Sequence, residues 1–186
     1  MKLYLICGKA RHGKDTLALY MKKYYNEMGK KVTILQLAAP LKSLVRNHFG
    51  WDGSDENKPR ELLQRLGTDI IRKEMKKDTY FVERTVEDAT ILSHFFDVII
   101  ISDVRFPIEI TYTKEKIKEA VVIHINRPNF ESEELSDSEK KHLSEVALDH
   151  FHNYDYEVTN TTFESLEEQA KEIIRKEEVK DEKNDK

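Results

Sequence analysis

Gly8-Lys9-Ala10-Arg11-His12-Gly13-Lys14 carries the spacing G-x-x-x-x-G-K: glycines that let backbone N–H groups converge on an anion, and a lysine that neutralises it. Such a loop binds nucleotide phosphates when a strand precedes it and a helix follows. Lys2 to Cys7 is short and apolar enough for a buried strand, and Leu17, Tyr20, Met21, Tyr24 and Met28 then recur at helical spacing up to Gly29, which stands at a C-cap position. The loop therefore feeds a helix N-terminus, whose unpaired N–H groups and dipole favour anions. Gly8, Ala10, Arg11, His12, Gly13, Lys14, Asp15 and Thr16 are the expected nucleotide contacts. Asp15 departs from the usual pattern, in which Ser or Thr holds Mg²⁺. A carboxylate beside a triphosphate is tolerable if a cation intervenes, so Asp15 is expected to bind Mg²⁺; the alternative is that it caps the helix.

Further along, Asp97-Val98-Ile99-Ile100-Ile101-Ser102-Asp103 is a continuous apolar run ending in a carboxylate, the pattern of a central parallel strand buried on both faces. Asp103 is placed like the second, metal-holding carboxylate of nucleotide-binding loops, or else it caps the following turn. Lys14 can reach the β- and γ-phosphates and offset charge as phosphoryl transfer proceeds. Arg105 suits bidentate binding of a second phosphate group. Arg60 and Gln64, one turn apart on a helix face, can present a guanidinium and an amide to an acceptor. Arg127 begins a polar excursion and is expected to fold onto the phosphates when that segment closes. Lys14, Asp103, Arg105 and Arg127 are thus the candidate catalytic residues, with Asp15 and Asp103 the candidate metal ligands. The seven histidines show no H-E-x-x-H spacing and there is one cysteine, so a zinc site is not expected; His150 and His152 are expected at the surface or in packing. The absence of an obvious general base disfavours a hydroxyl acceptor and leaves a phosphate acceptor in place, since that oxygen is already anionic.

These residues need an α/β frame. Lys31–Leu37, Ala120–Asn126 and Asp155–Thr159 read as further strands. Helices are expected over 41–49, from Pro59 towards Lys76, over 80–96 and from Phe163 to Arg175. Gly67 interrupts the second of these at a cost of about 1 kcal/mol against alanine, so something should pack closely against it. Strands alternating with helices predict a parallel sheet covered on both faces, with the phosphate site at the strands' carboxyl ends. Residues 127–143 are too polar for core and too long for a minimal connection. The tail over 176–186 is charged, lacks aromatics and is expected to be disordered.

With 186 residues, a single domain over 1–175 is expected. The net charge is −4, and the 31 basic residues form no stripe, which argues against a nucleic-acid polymer as partner. No apolar run approaches the roughly 20 residues of a membrane helix. One cysteine, Cys7, cannot build an intrachain disulfide framework, so a reducing cytoplasm is the expected compartment, and residues 1–20 enter the fold without a cleaved leader.

Several stretches together resemble the deoxynucleoside monophosphate kinases of the bacteriophage type, within the P-loop nucleoside monophosphate kinase superfamily. They are Gly8–Thr16 (GKARHGKDT), Ala39–Lys42 (APLK), Arg60–Thr68 (RELLQRLGT), Ser102–Glu109 (SDVRFPIE), and Ser144-Glu145 ahead of Asn160. The resemblance implies a P-loop kinase fold of about five parallel strands flanked by helices, with a monophosphate-binding insertion near 38–78 and a lid near 127–143. It further implies transfer of the γ-phosphate of ATP, with Mg²⁺, to a (deoxy)nucleoside monophosphate. By position, the ATP phosphates fall on Gly8–Thr16 and the acceptor near Lys42, Arg60, Gln64 and Arg105. Ile108, where a small polar residue is expected, and the loosely fitting Tyr80-Phe81 leave the acceptor's identity open. A phosphomevalonate-kinase-like enzyme, whose loop also carries GKD, and a non-catalytic ATP-binding module are the alternatives. Small-molecule nucleotides are the expected partners, and a homodimer stays an open expectation.

Overall fold

The computed structural model describes residues 1–130 and 136–184. β1 (Lys2–Cys7), β2 (Val32–Leu35), β3 (Val98–Val104), β4 (Val121–Asn126) and β5 (Tyr156–Thr159) form one sheet in the order β2-β3-β1-β4-β5, every pairing parallel. The period-two alternation of the central strands sends their side chains into two separate cores. Tyr4, Ile6, Ile100 and Ile123 pack with Leu17, Met21 and Tyr25 of α1 (Lys14–Glu27) and with Leu166 and Ile173 of α8 (Phe163–Asn184). Leu3, Leu5, Ile99, Ile101 and Val122 face the other way, onto Leu41 of α2 (Ala39–Phe49), Phe81 and Val82 of α4 (Tyr80–Leu92) and Ile110 of α5 (Pro107–Lys116). Apolar contact on both faces explains why β1 and β3 read as continuous hydrophobic runs.

Three elements differ from what periodicity predicts. The helix expected from Pro59 begins as α3 (Arg60–Gln64), but from Arg65 to Glu74 it widens into a π-helix with i→i+5 bonding, the Met75 N–H reaching Ile70 O at 2.8 Å. Gly67 lies in that wide stretch, where a Cβ would come within 2.9 Å of Leu41 Cδ2, so the close packing its presence implied is with α2. Helix α5 is absent from the sequence pattern because the side chains it buries include Glu109 and Thr113, which carry no hydrophobic signal. Finally, α8 does not stop at Arg175 but runs through most of the segment expected to be disordered, as far as Asn184. That tail is charged, yet several of its charges are paired: Lys2 at the start of β1 bonds Asp181 at 2.7 Å and Glu177 at 3.2 Å, and Tyr156 donates to Glu177 at 2.6 Å. Residues 185–186 lie outside the described residues, as do 131–135 of the expected lid. The described part of that expected segment holds α6 (Asp137–Lys140), and α7 (Leu143–Val146) starts where it ends. Among the described residues no helix is long and apolar enough to cross a membrane.

Candidate active site

Because all five strands run the same way, their carboxyl ends bring the segments that follow them to one rim. There the phosphate loop, Leu37-Ala38, Asp103 to Phe106, Arg127 to Phe130 and Asn160 to Phe163 enclose a cavity of about 1100 Å³ with α3 and its π-helical continuation. The cavity has room for more than one small ligand.

Positive φ at Gly8, Arg11 and Gly13 folds the loop upon itself. At Gly8 a Cβ would lie 2.4 Å from the backbone oxygen Ile125 O, so a close neighbour as well as conformation requires glycine there, while at Gly13 the positive φ of 100° does, with Asn160 Nδ2 also 2.5 Å from where a Cβ would be. Lys14 is only 7% exposed and bends back, its ammonium donating to Gly8 O at 2.9 Å and Lys9 O at 2.8 Å. Burial, and secondarily the Arg105 cation, lower its pKa to about 7, against the opposing pull of Glu145, Asp15 and Asp103. An anion that requires the charged lysine should therefore bind more weakly as pH rises. Sulfate, which does not titrate in this range, is expected to lose affinity above pH 7, approaching tenfold per unit. Calorimetric titration between pH 6 and 9 measures this; a flat profile refutes it.

Asp15 is exposed at the start of α1, and the Ser102 hydroxyl donates to its Oδ1 at 2.9 Å. Asp15 is also the acidic residue of the first turn of α1, whose N-cap is Gly13, so its carboxylate lies where the helix N-terminus favours negative charge. Asp103 reaches across to the end of β2 and accepts the Leu37 N–H at 2.7 Å and the Ala38 N–H at 3.1 Å. It does anchor a turn, though that of the neighbouring strand. A carboxylate accepts about four bonds, so both oxygens keep capacity.

Arg105 pairs with Glu145 and donates to Ser144 O at 3.5 Å. Its backbone is held by Glu109, which accepts the N–H groups of Arg105 and Phe106 at 2.7 and 3.0 Å. Glu109, 2% exposed, also binds Arg72 at 2.7 Å, and the Arg72 guanidinium lies 4.8 Å from the Phe81 ring centroid and 4.2 Å from that of Phe106. Burial pushes the Glu109 carboxyl up, opposed by Arg72 and by the two backbone donors.

On the far wall Lys42, Arg60 and Gln64 line the cavity as expected, joined by Lys58, which sequence reasoning passes over. Burial and the nearby Lys42 cation lower the Lys58 pKa, and Asp55 at 3.2 Å partly offsets this. Arg127 and Thr16 also face the cavity, the Arg127 guanidinium 4.1 Å from the Phe130 ring centroid. Two of the expected loop contacts do not face it. Gly8 and His12 border a smaller cavity of about 270 Å³ behind the loop, and the buried His12 ring accepts the Arg127 N–H on Nδ1 at 3.1 Å. Burial and the Lys14 cation lower the His12 pKa to about 4, leaving the ring neutral and fit for that acceptor role. His150 and His152 are exposed, and among the described residues no cluster of His, Cys, Asp and Glu could hold a metal by itself.

Strand order, loop and buried lysine define a P-loop kinase, a phosphotransferase that binds nucleotides. The model of the family "Deoxynucleotide monophosphate kinase" matches residues 51–173, well over half of the chain, and the chain belongs to that family. The match begins beyond the phosphate loop, so the family and the loop geometry rest on different residues. No curated protein matches the chain. Solved structures share the fold: shikimate kinase from Aquifex aeolicus is 19% identical with a TM-score of 0.51, over 97% of this chain and 98% of that one. The APS kinase CysC of Mycobacterium tuberculosis in complex with AMPPNP and APS is 16% identical with a TM-score of 0.50, over 94% and 95%.

Proposed function

We propose that the protein transfers the γ-phosphate of ATP to a deoxynucleoside monophosphate. The observation that carries this is one cavity lined both by the phosphate loop and by a second set of cations, Lys42, Lys58 and Arg60, together with Arg105. A module that only held ATP would need no second set. ATP phosphates lie along Gly8 to Thr16, with Lys14 turning from the loop carbonyls to the β- and γ-oxygens. Arg127 and Phe130 border the donor side, and Arg127 folds onto the phosphates as the lid near 127–143 closes. The acceptor phosphate is held by Arg105 with the far-wall cations and Gln64, aligned with the γ-phosphorus; charge developing on the transferred group is met by Lys14 and Arg105. An ADP-release assay across the common deoxy- and ribonucleoside monophosphates tests the reading. Turnover with at least one deoxynucleotide supports it, whereas turnover with phosphomevalonate alone transfers the assignment to that substrate.

The carboxylates at the loop fit Mg²⁺, which takes one or two protein carboxylates besides phosphate oxygens and water. Asp15, steadied by Ser102, and Asp103 would hold it, and when bound it neutralises β- and γ-phosphate charge. Asp15→Ala should then raise the Mg²⁺ concentration for half-maximal rate, and Asp15→Ser should restore much of it by returning a hydroxyl ligand. An unchanged Mg²⁺ profile in both variants removes Asp15 from the metal site.

A further inference from the structure

Glu145 places a carboxylate in the path between donor and acceptor. Its Oε2 accepts the Ala10 N–H of the phosphate loop at 2.9 Å, and its Oε1 pairs with Arg105, the arginine facing the acceptor. The side chain is 8% exposed. One end of this bridge is a donor suited to a phosphate of ATP, and the other is the guanidinium suited to the incoming monophosphate. The segment carrying Glu145 is tied to the same lip, Lys9 pairing with Asp149 at 2.8 Å and Ser144 O accepting from Arg105. Glu145 also borders the smaller cavity behind the loop, which gives its side chain somewhere to go when it leaves the bridge.

We infer that Glu145 is an internal stand-in for the phosphoryl group in transit, displaced by the acceptor's phosphate, and that it sets the enzyme's discrimination against water as acceptor. The inference rests on the kinase reading above. While no acceptor is bound, Arg105 is occupied by Glu145, and a negative charge lies beside the site where the γ-phosphate builds charge in transfer. Hydrolysis under these conditions is disfavoured. In that reaction a water oxygen bonds to the γ-phosphorus and the bond from phosphorus to the β–γ bridging oxygen breaks. The electron pair leaves with ADP, and the water's proton passes to solvent. An arriving monophosphate, a dianion with three oxygens, outcompetes the single carboxylate for Arg105 and frees the path.

The test uses the full chain with Glu145→Gln, which keeps an acceptor for the Ala10 N–H but removes the charge, and with Glu145→Ala. Two quantities are compared with the wild type: ATP hydrolysis without acceptor, and calorimetric affinity for inorganic pyrophosphate. Both are expected to rise roughly tenfold, the scale of one charge-assisted bond. Unchanged or weaker pyrophosphate binding, with a lower melting temperature, makes Glu145 a structural tie between α7 and the loop and overturns the inference. So does tighter pyrophosphate binding with no increase in acceptor-free hydrolysis, since discrimination would then lie elsewhere. If the wild type phosphorylates no monophosphate, the kinase reading fails by its own assay, while pyrophosphate affinity still reports whether Glu145 is displaced by phosphate.

Discussion

Lys14→Ala is expected to reduce phosphoryl transfer by roughly 10³-fold or more while the chain stays folded, because the lost charge is aimed at the phosphates and not at a core contact. Lys14 is buried, but its ammonium is bonded to the carbonyls of Gly8 and Lys9, at 2.9 and 2.8 Å. Its folded pKa, about 7, lies below that of an unfolded lysine. Below pH 7 the native state therefore carries the full cost of a buried cation, and that cost disappears as pH rises towards the unfolded value. Removing the ammonium should therefore leave stability near wild type at pH 6, even though two carbonyls lose a donor. Circular dichroism melts together with single-turnover rates check both halves. Near-wild-type turnover in a folded variant would contradict the role of the loop, and collapse of the fold would show that the lysine is structural.

The frame is legible where side-chain period and turn chemistry agree. β1 and β3 announce themselves as unbroken apolar runs, because both faces of a parallel sheet are covered, and the two glycines of the loop mark backbone that other residues cannot adopt. Arg105 is legible as a type suited to phosphate just after a strand end, and Arg60 as one on a helix face. What stays hidden depends on polar contacts between distant segments. Glu145 is visible only as part of a short Ser-Glu pair, since nothing local says that residue 145 reaches the amide of Ala10. The hydroxyl of Ser102 looks like one more small residue closing a hydrophobic strand, yet it supports Asp15. Arg72 escapes because the π-helical stretch breaks the 3.6-residue period from which helix faces are read. The His12 ring, expected at the phosphates, is buried behind the loop; spacing identifies a loop position but not the direction of its side chain.

Arg72→Ala is expected to destabilise the fold far more than Lys14→Ala does. It removes the charged partner of Glu109, a carboxylate 2% exposed, and takes away the guanidinium packed between Phe81 and Phe106. Breaking a buried pair from one side generally costs about 3–5 kcal/mol, because the remaining charge is left uncompensated. For a chain of this size that corresponds to a fall in melting temperature on the order of 10 °C. Burial already holds the Glu109 pKa above its ordinary value with Arg72 present; without Arg72 it moves higher. A carboxyl raised in this way is unfavourable when ionised, so the penalty is largest above its folded pKa and relaxes as pH falls and the group takes up a proton. The gap between variant and wild type should therefore narrow from pH 8 to pH 5, and Glu109→Gln introduced into Arg72→Ala should recover part of it at pH 8. Because Glu109 also holds the Arg105 and Phe106 amides, acceptor use should weaken before ATP binding does. A deficit that is the same at every pH, and is not relieved by the second substitution, would assign the loss to packing between the two rings alone.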